Sequence, residues 1–321
     1  MEQYYVGIDL GGTTVKAAVV NWEGKILSKA HLDCPRMEGD EAIISRITDT
    51  VKITLDQVGL TMDQISSVGI GTPGIANSET GIVEYSCNLG FKNTPLGPEL
   101  SRRLGKDVLI ENDAKVAVLG ELYAGAGQGC RNLVVITLGT GIGGGVVIDN
   151  HLIKGFNQAG AELGHMVIVQ NGEPCNCGRR GCWEAYASAT ALIRQTKAAM
   201  ARYPDSLLWA EADYDLGKVD GRTAFSAMKK GDSAAAEVVH DYIGYLSTGL
   251  VNIVNIFQPE VLCVGGGISN QGEVLLAPVR KILEQEDYAR NSSRQCRLVQ
   301  AQLGNDAGVI GASMLWKYRG R

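Results

Sequence analysis

His165, Cys175, Cys177 and Cys182 fall within 18 residues of one another in GAELGHMVIVQNGEPCNCGRRGCWEAYAS, Gly160 to Ser188. Three thiolates and one imidazole are the ligand set of a closed tetrahedral zinc site. Four protein ligands leave no position for a reacting water, so the metal expected here is structural. Gly178 and Gly181 let the backbone wrap tightly round an ion. Such a site would fix the flanking Glu162 and Glu184, two carboxylates able to accept hydrogen bonds from a polyhydroxylated ligand.

A second kind of chemistry is written in two glycine-rich turns. Gly11-Gly12-Thr13-Thr14 follows Asp9, and Gly139-Thr140-Gly141-Ile142-Gly143-Gly144-Gly145 follows Thr137. Backbone N–H groups and threonine hydroxyls at such corners hold phosphate oxygens, because glycine lets the backbone come close. Two such clamps suit one triphosphate. Asp9 is placed to hold Mg²⁺ through water, and Lys16 faces either phosphate or solvent. Asn112 and Asp113, in LIENDAKVAVLGE, stand where an apolar strand gives way to a helix. These are preferred N-cap types, and capping is compatible with an aspartate that accepts a proton from a substrate hydroxyl. Gly265-Gly266-Gly267 offers a flat surface, either for backbone packing or for a nucleotide base.

The elements that must position these residues follow from periodicity. Val6 to Leu10, Val15 to Val20 and Lys25 to Leu32 read as a strand meander turned at Asn21-Trp22-Glu23-Gly24. The first glycine turn therefore lies between strands. That excludes a dinucleotide fingerprint, which needs a following helix, and the missing Gly-Lys-Ser/Thr excludes a P-loop. Asp40 to Val58 carries Ile43, Ile44, Ile47, Val51 and Leu55 on one helical face. Strands are expected at Val68 to Ile70, Val108 to Ile110 and Val261 to Val264, and helices around Leu100 to Leu104 and from Asn112 to Ala126. Leu133 to Ile153 repeats the opening design of strand, Gly/Thr turn and strand, which points to an internal duplication. Beyond Trp183 helices dominate, broken by a polar stretch from Tyr203 to Thr223.

With 321 residues, 45% of them hydrophobic, the chain is expected to form two domains of ordinary size. A net charge of −5 with signs mixed along the chain offers no basic stripe for nucleic acid or an anionic membrane, so the expected partner is a small molecule. No apolar run approaches the ~20 residues of a membrane span, and the start MEQYYVGIDL lacks the marks of a signal peptide. A cytoplasmic protein is expected. The remaining cysteines, Cys34, Cys87, Cys130, Cys263 and Cys296, are scattered and expected to be buried or inert.

Taken together the motifs resemble the ROK family of repressors, open reading frames and sugar kinases, most closely its bacterial glucokinases. The resemblance rests on Asp9-Leu10-Gly11-Gly12-Thr13, Gly71-Thr72-Pro73-Gly74, Glu111-Asn112-Asp113-Ala114, Leu138 to Gly145, Glu162-Leu163-Gly164-His165, Cys175 to Glu184 and Gly265-Gly266-Gly267. It implies an α/β chain with the actin-like ATPase, ribonuclease H-like fold. Its two domains, residues 1–114 with about 304–321 and residues 115–303, would have a cleft between them. It implies ATP with Mg²⁺, a structural Zn²⁺, and glucose or a related hexose, with Asp113 as base. Asn112, Glu162, His165 and Glu184 would bind sugar hydroxyls with Gly74 and Asn88 nearby, His165 serving metal and sugar with its two ring nitrogens. The phosphates and nucleotide would fall to Asp9, Gly11, Gly12, Thr13, Thr14, Lys16, Thr137, Gly139, Thr140, Gly141, Gly143 and Gly265 to Gly267. The product expected is glucose 6-phosphate. Fructose, allose, N-acetylglucosamine and N-acetylmannosamine remain as alternative acceptors, and polyphosphate as an alternative donor. A non-catalytic sugar-responsive regulator is the other class. The ROK repressors carry a helix-turn-helix ahead of the first turn, and this chain reaches Asp9 after eight residues. A homodimer or homotetramer is the assembly the resemblance implies.

Overall fold

The computed structural model describes residues 3–318. Strands β1 (Tyr4–Leu10), β2 (Thr14–Asn21) and β3 (Ile26–Asp33) form the expected meander, with Asp9 paired opposite Lys16. Asn21 closes the β2–β3 turn by accepting the N–H groups of Glu23 and Lys25 on its side-chain oxygen at 3.1 and 2.9 Å. Helix α1 (Asp40–Asp56) buries the five apolar residues of the periodic face, and Asp40 and Glu41 in its first turn complement the helix dipole. Strand β4 (Ile65–Thr72) lies parallel to β1. A separate three-stranded sheet of β5 (Ile75–Asn77), β6 (Ile82–Ser86) and β7 (Phe91–Thr94) follows. Helix α2 (Leu96–Leu104), strand β8 (Val108–Asn112) and helix α3 (Asp113–Ala124) complete the run.

The first five-stranded sheet has the order β3-β2-β1-β4-β8. A second sheet is built from β9 (Leu133–Leu138), β10 (Ile142–Ile148), β11 (His151–Leu152), β12 (Val261–Gly265) and β13 (Arg297–Gln300), in the order β11-β10-β9-β12-β13. The two orders are the same, third strand to fifth. In each sheet the meander end is antiparallel and the last pair parallel. The duplication expected from the repeated strand–turn–strand design is thus present at the level of topology.

Two compact units divide the chain. The first comprises Met1–Leu133, Gly145–Ala161 and Gln302–Arg321, the second Val134–Gly144 and Glu162–Ala301. Helix α3, expected with the second domain, packs in the first, and the reason is backbone contact with α10 (Ala307–Ser313). A Cβ on Gly311 would stand 1.6 Å from the Val116 carbonyl oxygen, and one on Gly120 2.3 Å from that of Ala307. The sheet meets α10 equally closely: a Cβ on Gly7 of β1 would lie 1.8 Å from the Val309 oxygen. Val6, Ile8 and Leu10 point to the opposite face, into a core shared with α1 and α2, as the two-residue strand period requires. Buried Glu121 near the end of α3 accepts the N–H groups of Ala126, Gln302 and Leu303, tying the returning chain to this helix.

The second unit holds α4 (Glu184–Ala187), α5 (Ala189–Arg202), α6 (Leu207–Glu211), α7 (Thr223–Lys229), α8 (Ser233–Phe257) and α9 (Glu273–Glu286). Asp232 caps α8 through the Ala235 N–H and also takes hydrogen bonds from Ser206 Oγ and the Leu207 N–H. The polar stretch Tyr203 to Thr223 is thereby fastened to the start of α8. Trp183 is fully buried against Gly249 of α8, where even one methyl group would overlap the indole. Among the described residues no helix is long and apolar enough to cross a membrane.

Candidate active site and metal centre

In the first unit, the turn after β1 is closed by a hydrogen bond from the Gly11 N–H to the Thr14 carbonyl at 2.9 Å, and Thr13 is exposed at its tip. Gly12 lies against Asn88, whose Cβ would be 3.6 Å from a Cβ added there. A phosphate-type turn and a candidate sugar residue are therefore neighbours within one unit. Asp9 and Lys16 form a half-buried ion pair at 3.2 Å. Asn112 is the N-cap of α3: its side-chain oxygen accepts from Ala114 and Lys115 N–H groups at 3.0 and 3.2 Å, while its amide donates to the Gly74 carbonyl at 3.1 Å. Asp113 is the first helical residue, with one carboxylate oxygen on the Ala114 N–H at 2.8 Å. Asn112 thus does the capping, and Asp113 stands one residue further on, in the first turn.

Three residues around this junction were given no role by the sequence reading. Glu111 is fully buried, accepts the Asn112 N–H at 2.9 Å and stands 3.2 Å from Lys154 Nζ. Lys154 also donates to Ser78 Oγ at 2.9 Å, and the buried ammonium of Lys115 donates to the Gln158 carbonyl at 2.5 Å. These bonds anchor the segment 154–158 to the strand and helix that carry Asp113. The available signal was a carboxylate inside the apolar run LIEN, since a charge in a buried strand demands a partner.

In the second unit the sulfur and nitrogen atoms of His165, Cys175, Cys177 and Cys182 all lie within 4.8 Å of one another. His165 Nδ1 is 3.6 Å from Cys175 Sγ, and Cys177 Sγ is 3.7 Å from Cys182 Sγ. Tetrahedral coordination with Zn–S of about 2.3 Å and Zn–N of about 2.0–2.1 Å places ligand atoms at about those separations. The donor set thus fits a zinc-sized ion, with Nδ1 as the histidine ligand. Burial pushes the Cys175 thiol up to about 12 and raises that of Cys182, so thiolates at these positions call for a cation. All eight cysteines are free of disulfides, and Cys87, expected to be buried or inert, is exposed.

The second glycine turn joins β9 to β10, and the residues round it are well defined. The Gly139 N–H bonds to the Gly141 carbonyl at 3.0 Å, the Ala189 N–H to the Gly139 carbonyl at 2.9 Å, and Thr190 Oγ1 to the Thr140 carbonyl at 2.8 Å. Glu184 Oε2 accepts the Ile142 N–H at 2.9 Å. Glu162 is exposed at the start of the short helical turn Leu163–His165. Gly266 is required by packing, with φ of 85° and a Cβ position 2.4 Å from the Leu138 oxygen, whereas Gly267 faces open space. Structure accounts for the first of these two glycines and leaves the second available to a ligand.

A glycine turn between strands, an aspartate at the first residue of a helix capped by Asn112, a Cys₃His cluster and duplicated sheets of identical order are the features of a sugar-kinase type of α/β protein. The chain matches the ROK family over residues 5–319 and belongs to it. It is similar to the glucokinase of Thermotoga maritima, with 41% identity over 98% of this chain and 97% of the relative. The glucokinase of Halalkalibacterium halodurans is 35% identical over 98% of this chain and 96% of the relative. Among solved structures, a ROK family glucokinase from Streptomyces griseus in complex with glucose and AMPPNP superposes with a TM-score of 0.80. It is 34% identical and covers 97% of this chain and 98% of its own. The actin-like fold class expected from the motifs is the fold of these relatives.

Proposed function

We infer that this chain transfers the terminal phosphoryl group of ATP to glucose, giving glucose 6-phosphate. The observation that carries the reading is Asp113, held at the first residue of α3 in a chain similar along its whole length to glucokinases. A carboxylate there serves as base for the attacking sugar hydroxyl. In the loose transition state of phosphoryl transfer that proton moves late, so an ordinary carboxylate is basic enough.

Asn112, with Gly74 and Asn88, in the first unit and Glu162, His165 and Glu184 in the second are assigned to the sugar. The two glycine turns are assigned to the phosphates and Gly267 to the nucleotide. Asp9 supplies one carboxylate, which suits Mg²⁺, an ion that keeps most of its waters and is otherwise held by substrate phosphates. His165 Nδ1 and the three thiolates would hold Zn²⁺, whose contribution is to fix the backbone between Glu162 and Glu184 and to keep the thiols deprotonated. The His165 ring nitrogen not on the metal is left for a sugar hydroxyl. Assembly as a homodimer or homotetramer belongs to the same reading and is checked by light scattering of the purified protein.

The test is ADP release from Mg·ATP with glucose, fructose, mannose, allose, N-acetylglucosamine and N-acetylmannosamine offered separately. Strong glucose-dependent turnover is expected. Preference for another sugar would keep the mechanism and change the substrate. Silence with all six, repeated with polyphosphate as donor, would overturn the reading.

A further inference from the structure

We propose that Glu184 is a positioning residue for the Gly139–Gly145 turn, and that the thiol cluster acts on nucleotide affinity through it. The inference rests on the assignment of that turn to phosphate. Glu184 would be expected from its neighbours to face only a sugar, yet one of its oxygens is committed elsewhere: Oε2 accepts the Ile142 N–H at 2.9 Å. The fit is close enough to explain a glycine. A Cβ on Gly141 would stand 2.1 Å from Glu184 Oε2 and 2.9 Å from its carboxyl carbon, so any side chain there displaces the carboxylate. The other oxygen, Oε1, lies 3.6 Å from Cys175 Sγ. One carboxylate therefore spans the thiol cluster and the glycine turn, Glu184 and Ile142 being 42 residues apart in sequence.

What this does to the turn follows from the chemistry of anion binding by backbone. Phosphate oxygens are held by N–H groups that converge on one point, and convergence depends on the φ and ψ of flexible glycines. The turn is anchored at its start by Ala189 and Thr190, through the Gly139 and Thr140 carbonyls. Glu184 anchors the far end and turns the Ile142 N–H away from the phosphate set. The Thr140 and Gly141 N–H groups lie between the two anchors. With zinc bound, three thiolates and one imidazole leave the cluster one net negative charge, so its hold on the carboxylate is steric: Cys175 Sγ, fixed on the metal, stands against Oε1 and limits where the carboxylate can move. Loss of the metal would free the Cys175 side chain and with it release that side of the carboxylate.

The experiment measures the dissociation constant of a non-hydrolysable ATP analogue with Mg²⁺ by calorimetry, without sugar, so that any sugar contact of Glu184 plays no part. Bound zinc is quantified in each sample. Glu184→Ala should weaken nucleotide binding about tenfold or more, the scale of a lost hydrogen bond to a charged group. Glu184→Gln, which keeps a carbonyl oxygen for the Ile142 N–H, should restore binding to within about threefold of the parent. Gly141→Ala, with every metal ligand intact, should reproduce the loss, and it keeps the test open should Glu184→Ala fold poorly. Stripping the metal from the parent protein should weaken the analogue, while in Glu184→Ala it should change nothing further. Unaltered binding in Gly141→Ala and Glu184→Ala, or in the metal-stripped parent, would overturn the coupling and leave the kinase reading standing. A parent protein that binds no nucleotide would overturn the assignment of the turn and the coupling with it.

Discussion

Replacing Asp113 by asparagine separates a catalytic role from a structural one. Asp113 Oδ1 accepts the Ala114 N–H at 2.8 Å, and asparagine carries an oxygen at the same place, so that bond survives. The cap itself is Asn112 and is untouched. What the substitution removes from the fold is one negative charge in the first turn of a helix, worth about 0.3–1 kcal/mol. In a protein of this size that lowers Tm by about 1–4 °C. What it removes from the reaction is the proton acceptor, worth about 10²–10⁴ in rate. The expected outcome is a kcat at least about 100-fold lower in a protein that still melts within a few degrees of the parent. Coupled measurement of ADP release and a thermal melt on the same preparation reads both. A kcat within a few-fold of the parent would falsify the assignment. A Tm lowered by tens of degrees would instead place Asp113 among the residues that hold the fold.

Elemental analysis of protein purified without added metal should find one zinc per chain. Because the thiols must lose protons to bind it, a chelator should remove the zinc faster at pH 5 than at pH 8, and the opposite order would refute the thiolate set. Gly7→Ala should lower Tm sharply, since its methyl group would stand 1.8 Å from the Val309 oxygen with backbone on both sides. Overpacking costs about 1–3 kcal/mol or more, and an unchanged melt would show that α10 can move away from β1. Burial raises the Asp232 carboxyl, but hydrogen bonds from the Ala235 and Leu207 N–H groups and Ser206 outweigh it and hold its pKa below the usual aspartate value. A group depressed in the folded state stabilises above its unfolded pKa, about 3.9, and loses that contribution as pH falls through the folded value. Asp232→Asn should therefore lower Tm at pH 7 and make less difference as the pH is taken below about 4, and an equal effect at both pH values would refute the linkage.

Much of the candidate site was legible because its geometry is local. His165 and the three cysteines are separated by short spacers, the last of them bounded by Gly178 and Gly181, and such spacers leave few ways to arrange four ligand atoms other than round one centre. Asn112-Asp113 after an apolar strand announces a capped helix from residue type alone, and the structure places the cap there. The first glycine turn lies between strands because β-prone residues flank it on both sides, which is enough to exclude the helix-based phosphate motifs.

Tertiary structure decided what depends on segments that meet only after folding. The sequence places Glu184 beside the cysteines, but only the packing of α4 and α5 on the second turn commits one of its oxygens to Ile142. Glu111 and Lys154, 43 positions apart, become partners because the burial of one charge demands the other. The return of α10 to β1 and α3 brings residues from the two ends of the chain into backbone contact, and it explains why α3 lies with the first unit. Side-chain type and short spacing fix which groups are available for chemistry. Which of them touch is set by the burial of apolar faces that lie far apart in sequence, a global balance that no local pattern records.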